Sequence, residues 1–240
     1  MENIRRIKTP HITNLRDLGG YEINDTNSTA YHVFYRSNSL CAVGQEDVRK
    51  LKRLGIKTII DLRSTQEIKN HPYSLDKYFT ILKCPLLKEE GHPYETLLAN
   101  QMLLRSMSSS YVLMLEESKD MIVELVKVMA TQIQEGAVLF HCTAGKDRTG
   151  LIAALLLKLV GCSDEDIICD YQISETYIEN DKMMSMYQLP STLLSSSSRT
   201  MKEVLYYVED KHYLDQLMKS ECFRYSVEQI KFKFVKDMNE

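Results

Sequence analysis

The run Gly136 to Val160, GAVLFHCTAGKDRTGLIAALLLKLV, constrains the fold more than any other part of the chain. Gly136 to Phe140 reads as a buried strand and Leu151 to Val160 as a buried helix, with only a tight turn between them. Two more short apolar runs, Lys57 to Leu62 (KTIIDL) and Tyr78 to Leu82 (YFTIL), read as buried strands. Before Gly136 comes a helical pattern in which Met121, Leu125, Met129 and Ile133 recur every four residues. This alternation of strand and helix predicts an α/β fold with a mostly parallel central sheet flanked by helices.

The turn itself is unusual. It carries Cys142, Lys146, Asp147 and Arg148, where a structural turn would need only Gly, Asn or Ser. Helix capping by Asp147 or Thr149 is the plainer account, but it leaves the cysteine and both cations unexplained. With Arg148 at the helix start, backbone N–H groups from Thr143, Ala144, Gly145, Lys146, Asp147 and Arg148 can curl around one point ahead of the helix N-terminus. Such a cradle, backed by the helix dipole, binds anions. Gly145 permits the backbone conformations this needs, and Arg148 can grip two oxygens of a phosphate in a bidentate fork. Helix N-termini and neighbouring cations favour a thiolate, so Cys142 is placed to attack phosphorus. Thr149 can donate a hydrogen bond to the sulfur as it leaves. A Walker loop is excluded, because it would need Gly at the position of Phe140 and Ser or Thr at that of Asp147.

The rest of the chain bounds the reading. A formal net charge of −3 over 240 residues gives no footprint for nucleic-acid binding. Leu151 to Val160 is about half the length of a membrane span, and the first residues lack the apolar core of a secretory signal. Six scattered cysteines without a CxxC pair point to a reduced, cytoplasmic protein, with no zinc site and no disulfide framework. No metal or other cofactor is expected. We read residues 1–240 as one domain with a helical part over about 163–238, where Ser163 to Asp166 resembles a capping box. The stretch Ser191 to Ser198 is the best loop candidate. Residues 88–134 are either a helical lid over a site or an ordinary connection.

The sequence HCTAGKDRTG, residues 141–150, resembles the signature loop of cysteine-dependent protein tyrosine phosphatases, in the form found in their bacterial, mycobacterial-type branch. Asn14 to Tyr21 (NLRDLGGY), Tyr35 to Leu40 (YRSNSL) and Gly55 to Ser64 (GIKTIIDLRS) are similar to that branch as well. The resemblance implies a phosphotyrosine protein phosphatase-like fold and a cysteinyl-phosphate intermediate formed without metal. Cys142 would be the nucleophile and Arg148 the phosphate clamp. His141 would hold the loop and favour the thiolate.

The general acid is open. The chain has no tryptophan and hence no Trp-Pro-Asp loop. Asp147, inside the loop, is the first candidate, since the resembling branch is thought to use this position. Asp61 is the second, because it ends a strand where sites gather in open sheets, although an ion pair with Arg63 would account for it equally. Glu89, Glu90 and Asp17 complete the set. The expected substrate is a phosphotyrosine-containing protein or a phosphoinositide, the latter if Lys146 is free to bind a further phosphate. The rival functions are a phosphate-binding module without turnover and a rhodanese-type sulfur transferase, whose loop is generally shorter. A reactive Cys142 would be open to peroxide, with Cys41 and Cys84 as candidate resolving partners.

Overall fold

Side-chain alternation along the central strands determines how their sheet is covered. In the computed structural model, which describes residues 3–86, 106–178 and 195–238, strands β1 (Arg16–Asp17), β2 (Asn27–Thr29), β3 (Phe34–Ser37), β4 (Ile56–Asp61), β5 (Thr80–Lys83), β6 (Ala137–His141) and β7 (Val235–Asp237) form two sheets. The main sheet runs β1-β3-β6-β4-β5. Its β3, β6, β4 and β5 are parallel to one another, and only β1 is antiparallel, to β3. Phe34, Ile60, Val138 and Phe140 pack into one hydrophobic core, whereas Tyr35, Ile59 and Leu139 pack into the other. Both faces of the sheet are therefore buried, as the continuous apolar runs require.

Nine helices are described. They are α1 (Gln45–Arg53), α2 (Thr65–Asn70), α3 (Met107–Glu117), α4 (Lys119–Gln132), α5 (Arg148–Val160), α6 (Asp164–Ile178), α7 (Ser198–Asp210), α8 (Tyr213–Leu217) and α9 (Glu221–Phe234). Helix α1 covers the smaller core with Val48 and Leu51. The larger core takes residues from α3 to α9. Helix α5 is buried at every position but Lys158, and ends at Gly161 in the left-handed conformation (φ +98°) that a Cβ disfavours. Ser163 caps α6, accepting the Asp166 N–H at 3.1 Å.

Some boundaries differ from the sequence reading. β5 begins at Thr80, because the Tyr78 and Phe79 N–H groups turn back to the Leu75 carbonyl. The long helical pattern ahead of Gly136 divides at Ser118, a fully buried residue whose hydroxyl donates to the Leu86 carbonyl. Of the candidate lid, residues 88–105 lie outside the described residues, and the remainder is α3 and α4, both packed into the larger core. Among the described residues the C-terminal part holds helices α6 to α9 up to Phe234 but then pairs β7 with β2 instead of ending in a helix, and residues 191–194 of the candidate loop lie outside the described residues.

The parallel register brings the C-terminal ends of three strands level. Ser37 of β3 and Asp61 of β4 both stand beside His141 of β6. The site is built on that edge.

Candidate active site

The loop from Cys142 to Asp147 joins β6 to α5, and every residue in it is buried, Cys142 to 1% exposure. Its shape follows from how its carbonyls are held. The Thr143 carbonyl accepts the Ser39 N–H at 2.9 Å. Asn14 Nδ2 donates to the Ala144 and Gly145 carbonyls at 3.0 and 3.1 Å, and Arg36 donates to the Gly145 carbonyl at 2.8 Å. In a trans peptide the N–H points opposite to the C=O. Carbonyls fixed on the outside thus turn the next residues' N–H groups toward the inside of the loop, ahead of the α5 N-terminus. Gly145 has φ +70°, and a Cβ there would stand 2.2 Å from the Ser37 carbonyl oxygen. Only glycine lets the loop lie this close to the end of β3.

Two buried arginines brace this arrangement through one carboxylate. Arg16 Nε donates to Asp170 Oδ1 at 2.8 Å, and Arg36 bonds Asp170 Oδ2. Burial alone would raise the Asp170 carboxyl, but Arg16 and Arg36 outweigh it and hold it at about 2. Arg16 also bonds the side chain of Asn14, so the residue that shapes the loop is itself held in place.

Arg148, the first residue of α5, meets Glu67 in a two-pronged ion pair, with Nη1 to Oε2 at 2.6 Å and Nη2 to Oε1 at 2.8 Å. Glu67 Oε1 also accepts the Thr143 hydroxyl at 2.6 Å, and Oε2 accepts the Ser64 N–H at 2.9 Å. Burial opposes the charge of Glu67, yet the hydrogen bonds and positive charge of Arg148 lower its carboxyl to about 2. The sequence reading missed Glu67. Its signal was Ser64-Thr65-Gln66-Glu67, a capping box at the start of α2, but the pattern says nothing about the arginine that completes it.

The candidate acids separate by position. Asp147 lies beside the anion cradle as the N-cap residue of α5. Its Oδ1 takes Lys146 Nζ at 2.7 Å and the Tyr111 hydroxyl, and Tyr111 in turn meets the Tyr171 hydroxyl at 3.0 Å. Asp61 is held differently: Arg63 Nε donates to its Oδ1 at 2.9 Å and Arg63 Nη2 to its Oδ2 at 2.7 Å. Burial would raise this carboxyl, but the hydrogen bonds and positive charge of the Arg63 guanidinium keep it below its ordinary range. Asp61 thus sits in a buried ion pair with Arg63. Asp17 is removed from the loop altogether, because its carboxylate accepts the N–H groups of Gly19 and His32 beyond the far end of β3. Glu89 and Glu90 lie outside the described residues.

His141 Nδ1 lies 3.0 Å from the Cys142 carbonyl oxygen, which can only accept, so Nδ1 carries the proton. Nε2 then accepts from the Tyr73 hydroxyl at 2.8 Å. Full burial lowers the His141 pKa despite nearby Asp61, in keeping with a neutral ring. His141 therefore holds the loop through its backbone and makes no hydrogen bond to the thiol. The Thr149 hydroxyl is buried and has no hydrogen-bond partner among the described residues, the sulfur included. Lys146 is 1% exposed, bonded to Asp147 and to the Ser195 carbonyl at 3.2 Å. Cys41 contacts Ser39 and Arg63, and the Cys84 N–H bonds the Asp61 carbonyl, which puts both cysteines near this edge of the sheet. Among the described residues no group of His, Cys, Asp and Glu could hold a metal ion, and no helix is long and apolar enough to cross a membrane.

Relatives carry the same lineage. The chain is 37% identical over 149 residues to a tyrosine-protein phosphatase of Nostoc commune, covering 61% of this chain and 50% of that one. It is 28% identical over 186 residues to the triple specificity protein phosphatase PtpB of Mycobacterium tuberculosis, covering 64% and 66% respectively. It thus spans between half and two thirds of the length of these relatives. The sequence model that describes the tyrosine phosphatase family matches residues 7–228, from the segment preceding β1 to the middle of α9, and so the chain belongs to that family.

Proposed function

We propose that the protein hydrolyses phosphotyrosine monoesters through a cysteinyl-phosphate intermediate on Cys142. The observation that carries this reading is the loop itself: a cysteine at its base, inward-turned N–H groups, and an arginine at the helix N-terminus held in a two-pronged grip by Glu67. The phosphate dianion is held by the N–H groups of the loop and by Arg148, whose guanidinium faces the growing charge on the equatorial oxygens. The Cys142 thiolate attacks phosphorus, the S–P bond forms, and the bond from phosphorus to the tyrosine oxygen breaks. That oxygen takes its proton from the Asp147 carboxyl, through Oδ2, since Oδ1 is occupied by Lys146 and Tyr111. Water then attacks phosphorus and loses its proton to the Asp147 carboxylate. The S–P bond breaks, and the Thr149 hydroxyl, which has no competing partner among the described residues, turns to the departing sulfur.

Lys146 separates the two substrate classes. A phosphoinositide reading needs its ammonium free for a second phosphate, whereas here the ammonium is buried between Asp147 and Ser195. Phosphotyrosine is therefore the preferred substrate. The test is phosphate release by wild type and Cys142→Ser on phosphotyrosine peptides, phosphoserine peptides and phosphoinositides, with no metal added. Release from phosphotyrosine that vanishes in Cys142→Ser is the expected result. Faster release from phosphoinositides would reassign the substrate. Tight phosphate binding without any release would make the chain a binding module.

A further inference from the structure

A cavity of about 450 Å³ opens at the edge of the main sheet opposite the catalytic loop. It lies between the segment preceding β1, the turn before β3, and the C-terminal end of α1. The parallel register fixes its remoteness, because the loop follows the C-terminal ends of the strands and this cavity adjoins their N-terminal ends.

Its chemistry has two parts. Lys8, Lys50 and Arg53 line it, and no acidic residue is among the described residues that do. None of the three is in an ion pair among the described residues, so a chain of net charge −3 concentrates unpaired positive charge here. Arg6 also contributes to the lining, with its guanidinium stacked over Tyr177, 4.1 Å from the ring centroid. Apolar surface from Ile4, Ile7 and Leu54 completes the cavity, with the buried Tyr35 behind it.

His32 adds an independent observation. It holds a left-handed backbone conformation (φ +67°) that is uncommon for a residue with a side chain. Asp17 Oδ2 fixes it there by accepting its N–H at 2.9 Å. Its Nδ1 meets the Tyr35 hydroxyl at 2.7 Å, while Nε2 is buried and has no partner among the described residues. Basic residues at the end of α1 have a ready explanation in the helix dipole. That explanation covers Lys50 and Arg53, but neither Lys8, which comes from a different segment, nor the unsatisfied His32 nitrogen.

From this we infer that the cavity is a second anion site, which takes a soluble nucleoside diphosphate with its phosphates on Lys8, Lys50 and Arg53 and its base against Ile4, Ile7 and Leu54. A diphosphate suits three cations better than a single phosphate does. A flat base suits a floor of aliphatic side chains. The inference does not depend on the phosphatase reading, since none of these residues belongs to the catalytic loop.

The experiment is a titration of the uniformly labelled protein with adenosine diphosphate, followed by backbone amide chemical shifts. The expected result is perturbation at Lys8, His32, Lys50 and Arg53, with the amides of residues 142–148 unmoved. The affinity should fall at least tenfold in the double variant K50A/R53A and in K8A, whose dispersed spectra would confirm folding. Shifts confined to residues 142–148, no shifts at all, or an unchanged affinity in both variants would each overturn the assignment.

Discussion

Replacing Glu67 by Gln removes one negative charge and almost no volume, and the structure sets how much this costs. The carboxylate accepts four hydrogen bonds, two from Arg148 and one each from Thr143 and Ser64. Its carboxyl lies at about 2 instead of an ordinary 4.5, a displacement equivalent to about 3 kcal/mol of stabilisation. A second route gives a similar figure, since breaking a buried pair from one side costs about 3–5 kcal/mol. In Glu67→Gln a buried guanidinium faces an amide that can accept on only one atom, so Arg148 loses one of its two bonds and either Thr143 or Ser64 loses its partner. We expect a loss of about 3 kcal/mol in denaturant unfolding at pH 7, and kcat reduced about 100-fold because the clamp is no longer held in place. The pH dependence supplies a further check. A carboxyl depressed on folding stabilises fully above about 4.5, and that contribution disappears as pH falls toward 2. Wild type should lose this stability across that window, and the variant should lack this part of the slope. A variant within 1 kcal/mol of wild type, with unchanged kcat, would refute the reasoning.

Two further expectations concern the proton and the sulfur. Asp147→Asn should lower kcat about 10²–10⁴-fold and remove the basic limb of its pH profile, whereas Asp61→Asn should keep that limb and lower the melting temperature by releasing Arg63. The opposite pattern in paired pH–rate profiles would make Asp61 the acid. Thr149→Val replaces a buried hydroxyl that lacks a partner among the described residues, so unfolding should show equal or slightly greater stability, by about 1 kcal/mol at most. The same variant should accumulate phosphoenzyme in rapid-quench experiments. Lower stability with no accumulation would assign the hydroxyl a structural role.

The sequence by itself determined the candidate reacting unit. Cys142 and Arg148 are separated by five residues on a strand-loop-helix segment, so their proximity, the glycine at the turn and the helix dipole all follow from local chain geometry. The apolar runs likewise predicted three of the four parallel strands of the main sheet. Tertiary structure decided what holds that unit in its working shape. Glu67 reaches Arg148 across 81 residues of sequence, Asn14 reaches the Ala144 carbonyl across 130, and Arg36 reaches Asp170 across 134. It also gave the two candidate aspartates different surroundings: the register set Asp61 beside His141 with Arg63 folded back on it, while the end of the loop set Asp147 against Tyr111. Local patterning encodes where a strand stops and a helix starts, because hydrogen bonding and burial act over a few residues. Which distant charge completes a buried arginine depends on the order and register of the strands, and no short stretch of the chain contains that information.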